Sequence, residues 1–184
     1  MSINWKGIFP AVTTKFTDDD RLDQEMFELN INAQIDAGVE GIVLGGTLGE
    51  SSSLRDEEKL QLVRWAVGVS AGRVPVVLNI AEQTTVDAIS AAQKAADNGA
   101  EGLMMLPPMR YKADDNETVE YYKAVAKSTS LPIMVYNNPI DYKIEVTLDM
   151  FDQLQECDNI QAVKESTRDI SNITRMFNRF GERF

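Results

Sequence analysis

Apolar runs of strand length alternate along this chain with segments of helical period, and this alternation constrains the fold more than any other feature. It is the pattern of a parallel sheet crossed by helices. The strands read as Gly7 to Thr14, Gly41 to Gly46, Val74 to Ala81, Gly102 to Pro107, Pro132 to Tyr136 and Ile160 to Lys164. Helices follow each of them, starting near Gln24, Arg55, Thr85, Glu117, Leu148 and Ser171.

Punctuation supports these limits. Ser53-Leu54-Arg55-Asp56 fits a capping box, with the Ser53 hydroxyl accepting an orphan N–H of the first turn. Asp36-Ala37-Gly38-Val39-Glu40-Gly41 is echoed 61 residues later by Asp97-Asn98-Gly99-Ala100-Glu101-Gly102, each marking a helix end that enters a strand. Repetition at this period suits a (β/α)8 barrel, although a doubly wound open sheet shows comparable units. No GxGxxG fingerprint follows the first strand, which lowers the dinucleotide-binding alternative. The expected fold is therefore α/β, one partial barrel domain over residues 1–184 with only its first six β/α units. A complete eightfold barrel takes about 250 residues. The simplest reading is a fragment lacking strands seven and eight and the C-terminal helices, with Phe180-Gly181-Glu182-Arg183-Phe184 as a helix stop entering a seventh strand.

Composition excludes whole classes of chemistry. The 184 residues contain no histidine and one cysteine, Cys157, which disfavours zinc sites, histidine-dependent triads and an internal disulfide. Acid-base work falls to Tyr, Lys, Asp, Glu or water. A net charge of −11 disfavours nucleic-acid and anionic-membrane partners, and the apolar runs fall short of a membrane span. The start of the chain lacks a signal peptide's apolar stretch, so a cytoplasmic location is expected.

Side chains at the carboxyl ends of barrel strands converge on the mouth, where such barrels do their chemistry. Lys164, Tyr136 and Thr47 hold that position. A lysine there can form an imine with a carbonyl substrate, provided that its amine is neutral. At an unperturbed pKa of about 10.4 less than ~0.1% is neutral at pH 7, so the reaction calls for apolar walls that disfavour the ammonium. Tyr136 offers a phenol to pass protons while the carbinolamine loses water, with Thr47 as the hydroxyl that positions it. The turn Gly45-Gly46-Thr47-Leu48-Gly49 can aim successive N–H groups at a carboxylate, and Glu50 and Ser51 orient it. Each residue also has a plainer role open to it: a solvated lysine beyond a strand, a tyrosine packed in a core, a glycine-rich turn without a ligand.

Taken together, Gly46-Thr47-Leu48-Gly49-Glu50-Ser51, Tyr136-Asn137-Asn138-Pro139 and Val163-Lys164-Glu165-Ser166 resemble the dihydrodipicolinate synthase and N-acetylneuraminate lyase family, a branch of the class I Schiff-base aldolases. The resemblance implies a TIM barrel in a homo-oligomer, a dimer or tetramer, that uses no cofactor or metal and acts on a small carboxylate. It puts the pyruvate imine on Lys164 and the proton relay on Tyr136, with Thr47 orienting Tyr136. The backbone at Gly46, Thr47 and Leu48 would bind the carboxylate.

Three positions depart from the family pattern. Leu48 stands where a second threonine is common, Met109 where the synthases carry a relay tyrosine, and Asp141 where they carry an arginine for the second substrate. Tyr111 or water would then substitute for the relay. Acidic Asp141 would repel the carboxylate of aspartate semialdehyde, and Pro107-Pro108-Met109-Arg110-Tyr111-Lys112 looks like the branch of 1-pyrroline-4-hydroxy-2-carboxylate deaminase. That deaminase activity is the expected one, with Arg110 binding substrate and Lys112 and Lys143 adding positive charge near the mouth. 4-Hydroxy-tetrahydrodipicolinate synthesis and 2-keto-3-deoxy sugar-acid aldolase or dehydratase chemistry are its alternatives. A different class is also open: a truncated, non-catalytic binding or assembly subunit.

Overall fold

A computed structural model describes residues 3–108 and 111–184. Its strands are hydrogen-bonded in the order β1 (Ile42–Leu44), β2 (Val76–Ile80), β3 (Gly102–Met105), β4 (Ile133–Asn137) and β5 (Ile160–Glu165). Spatial order equals chain order because a helix returns the chain after every strand, the right condition for a parallel sheet. Two compact units divide the chain, Met1–Asn79 with Lys94–Leu103, and Ile80–Gln93 with Met104–Phe184.

In the first unit β1 and β2 pair in parallel through Ile42 with Val76, Val43 with Val77 and Leu44 with Leu78, and every one of these residues is buried. Helix α1 (Gln24–Asp36) begins where the Asp23 carboxylate accepts the Met26 N–H at 3.0 Å. It buries Phe27 and Ile31, and α2 (Asp56–Ser70) buries Leu62, Val63 and Ala66. Full burial of such a side chain is worth about 1.5–3 kcal/mol, so these apolar stripes decide which helix faces turn inward.

Two expectations for this unit need correction. The predicted strand Gly7 to Thr14 is reduced to one parallel bridge, Ala11 with Val43. Pro10 accepts from the Val43 N–H but has no N–H of its own to continue a ladder. The predicted capping box at Ser53 is absent as well. Ser53 ends a short 3-10 turn, Ser51–Ser53, and α2 is started instead by the Glu58 carboxylate accepting the Arg55 N–H at 2.8 Å.

The sequence echo has a structural counterpart. Glu40 donates its backbone N–H to Ile8 O and takes the Ile8 N–H on its own carboxylate. Glu101 does the same with Val76, at 2.8 and 3.1 Å. Each glutamate thus closes a two-bond clasp on an incoming segment, using a side chain to satisfy a backbone donor.

The second unit holds β4, β5 and the helices α4 (Asp115–Ser128), α5 (Pro139–Tyr142), α6 (Leu148–Leu154) and α7 (Ser171–Phe180). The remaining helix, α3 (Thr85–Asp97), follows β2. Helix α4 opens with a complete capping box in which Asp114 and Glu117 exchange backbone and side-chain bonds of 2.8 and 3.0 Å. Gly181 stops α7, as expected. Arg183 folds back to donate to the carbonyls of Ile160, Gln155 and Cys157, and Phe184 packs 5.2 Å from Phe151. Among the described residues no helix is long and apolar enough to cross a membrane, and no cluster of His, Cys, Asp and Glu is arranged to hold a metal ion.

Candidate active site

Strand register brings Lys164 and Tyr136 together. β4 and β5 run parallel with Tyr136 opposite Lys164 and Asn137 opposite Glu165. Side chains alternate across a strand, so the first pair shares one face of the sheet and the second pair shares the other.

On the first face the Lys164 Nζ stands 4.0 Å from the centroid of the Tyr136 ring. The Tyr136 ring is held edge-on against Tyr142, with centroids 5.6 Å apart and planes at 75°. Its hydroxyl accepts from Asn138 Nδ2 at 3.1 Å, and the same amide group donates to Asp141 Oδ2 at 2.7 Å. Asn138 also caps α5, accepting the Asp141 N–H on Oδ1, with Pro139 in the first helical turn where a missing N–H costs nothing. The one-turn helix therefore fixes the residue that fixes the phenol. Lys164 itself is half-buried, as are all of the final three residues of β5.

On the opposite face lies a polar node that sequence reasoning missed. The Glu165 carboxylate accepts from Asn137 Nδ2 at 3.1 Å, Asn172 Nδ2 at 2.7 Å and the Thr167 N–H at 2.7 Å. Asn137, fully buried, also bonds both the N–H and the carbonyl of Val146. This node ties the loop after α5 and the loop after β5 to the strand ends that carry Tyr136 and Lys164. A buried polar network of this kind is rigid when every member is paired. The available signal was an asparagine or glutamate immediately after each candidate, whose strand position turns it to the back of the sheet.

Thr47 belongs to the other compact unit, in an exposed turn with Leu48. The turn's own bonds run from the N–H groups of Gly49 and Ser51 to Gly46 O, at 3.0 and 3.3 Å, and from Glu50 to Thr47 O at 3.1 Å. Glu50 and Ser51 thus shape the turn, as expected, with Glu50 in the left-handed region at φ 58°. Gly49 is required by close approach: a Cβ there would lie 2.9 Å from Val12 O.

The surrounding charges differ from expectation. Lys143 donates its ammonium to Ile140 O at 2.8 Å, closing the end of α5. Asp141 is engaged with Asn138, as above. Lys112 and Tyr111 line a cavity of about 870 Å³ together with Gln83, Thr85, Glu117 and Tyr121, and neither Lys164 nor Tyr136 belongs to its wall. Burial, and secondarily Glu82, pushes the Tyr121 phenol well above its ordinary range, so it stays protonated. Met109 and Arg110 lie outside the described residues.

A strand-end amine thus stands against the ring of a phenol whose oxygen is separately anchored, a geometry that suits imine chemistry. The model of the dihydrodipicolinate synthetase family matches residues 4–184. The chain belongs to this family. Among its relatives, the 4-hydroxy-tetrahydrodipicolinate synthase of Exiguobacterium sibiricum is 37% identical over 167 residues, covering 91% of this chain and 57% of the relative. The solved dihydrodipicolinate synthase DapA-2 of Bacillus anthracis superposes with a TM-score of 0.96 at 32% identity, over 100% of this chain and 63% of that one. YagE of E. coli K12, a prophage protein of the dihydrodipicolinic acid synthase family solved in complex with pyruvate, gives 0.90 at 29%, over 96% and 59%. The chain thus spans about 60% of the length of the family members that it matches.

Proposed function

We propose that this chain carries the nucleophile of a Schiff-base-forming lyase that takes pyruvate as its first substrate, the reaction being 4-hydroxy-tetrahydrodipicolinate synthesis from pyruvate and aspartate semialdehyde. The observation that carries this reading is the pairing of Tyr136 with Lys164, which leaves the Lys164 Nζ 4.0 Å from the phenol ring.

The neutral Nζ adds to C2 of the 2-oxo acid, and the resulting carbinolamine loses its hydroxyl as water. Tyr136 supplies the proton for that loss and regains one from solvent, its oxygen steadied by Asn138. Removal of a C3 proton from the imine gives an enamine, whose carbon attacks the aldehyde of the second substrate. The amino group of that substrate then displaces Lys164 from C2, and one water has been released for each pair condensed. The backbone N–H groups of Thr47 and Leu48, beside Gly46, are assigned to a substrate carboxylate. Arg110 remains the candidate contact for the outer substrate.

The deaminase activity expected from the sequence gains no support from the relatives described above, of which the Exiguobacterium enzyme carries the synthase name. A non-catalytic subunit would have no need of an amine, a phenol and a third residue holding the phenol oxygen.

Exchange of the pyruvate C3 protons in D2O, followed by proton NMR, tests the proposal without any second substrate. The protein is expected to accelerate exchange, and Lys164→Ala to abolish the acceleration. Equal exchange by the two proteins would refute it.

A further inference from the structure

We infer that Asn79 is a positioning residue that sets the carboxylate-receiving turn. This rests on the assignment of that turn to the substrate carboxylate. Asn79 is the one polar residue of β2, a strand in which all five residues are buried, and it is itself only 4% exposed. Its Nδ2 donates to Gly45 O at 2.9 Å, reaching across to the first residue of the glycine-rich turn. Its Oδ1 is buried and has no hydrogen-bond partner among the described residues.

The planarity of the peptide group turns that single bond into control of the turn. Gly45 sits at φ +62°, where the direction of its carbonyl is set by a conformation that other residues rarely adopt. The Gly45 carbonyl and the Gly46 N–H belong to one rigid, trans plane, so holding the oxygen fixes the plane that opens the turn. In the next plane Gly46 O is held by the Gly49 and Ser51 N–H groups, which leaves the Thr47 N–H directed away from the turn's interior. The third plane repeats this, with Thr47 O held by the Glu50 N–H and the Leu48 N–H directed outward. Asn79 is thus the side-chain anchor of a series of planes that ends in two outward-directed donors.

The Nδ2 bond to Gly45 O is the hydrogen bond that this side chain makes among the described residues. A buried polar atom without a partner is destabilising.

The test is a pyruvate titration of Lys164→Ala, in which no imine forms, and of the double variant Lys164→Ala/Asn79→Ala, read from the backbone amide shifts of Thr47 and Leu48 by NMR. Saturable shifts are expected in the first protein, with affinity weaker by about tenfold or more in the second. The Tm of Asn79→Ala is expected to stay within about 3 °C of the parent. Equal affinity in both proteins, absence of shifts at Thr47 and Leu48 in the first, or weakened binding together with a larger fall in Tm would each overturn the inference. Should the alanine variant not fold, Asn79→Ser is read by the same criteria. Failure of C3 exchange would refute the lyase proposal and leave this titration readable, since it requires only carboxylate binding.

Discussion

Tyr136 is used at both ends: its ring face lies beside the Lys164 amine, and its hydroxyl is held by Asn138. The two contributions separate by mutation. Tyr136→Phe keeps the ring and removes the proton donor, so pyruvate C3 exchange is expected to slow by about 10²–10⁴-fold, the usual worth of a positioned acid-base group. Asn138→Ala keeps the donor and loosens it, with an expected loss of about tenfold in kcat and little change in KM, as befits an interaction that matters in the transition state. Stopped-flow or NMR rates on the two variants check this, and a Tyr136→Phe rate equal to that of the parent would remove the phenol from the mechanism. The strand-end positions of Lys164 and Tyr136 were legible in the sequence because each ends a strand-length apolar run, where a polar side chain stands out. Asn138 was not, because an asparagine before proline reads as turn punctuation, and its bond to Tyr136 depends on how α5 folds back.

At the scale of elements, the clasps of Glu40 and Glu101 explain why one short motif recurs. Each glutamate closes the start of a strand by giving its N–H to a carbonyl and accepting an N–H on its carboxylate. Glu101→Ala leaves the Val76 N–H without that acceptor and is expected to cost about 1–2 kcal/mol, read from the urea midpoint, while Glu101→Gln retains an acceptor oxygen and loses less. Equal losses would show that the carboxylate charge, rather than hydrogen bonding, is what counts. Helix starts at Gln24, Thr85, Leu148 and Ser171 were readable from helical period. The failures were local. Ser53 carried a capping pattern, but the helix began with Glu58 gripping Arg55. The first apolar run contained a proline that cannot continue a ladder, so a strand-like composition became a single bridge. In both cases a single backbone N–H, capped by Glu58 in the first and missing from Pro10 in the second, outweighed the surrounding pattern.

For the molecule as a whole, the alternation of apolar runs and helices predicted a parallel α/β sheet in sequential order, and five strands follow that order. Length predicted a piece of a larger barrel, and the chain spans about 60% of the family members that it matches. The polar node around Glu165 lay beyond sequence reading because it gathers Asn137, Thr167 and Asn172 from separate segments onto one carboxylate. On the proposed reading, that node and the Asn138 anchor prepare Lys164 by holding the strand ends that carry it and Tyr136. The most direct test of this preparation is borohydride reduction of the 184-residue chain in the presence of pyruvate, followed by proteolysis and peptide mass mapping. A reduced pyruvate adduct confined to the peptide containing Lys164 is the predicted result. No adduct on the folded protein, or adducts spread over several surface lysines, would contradict it.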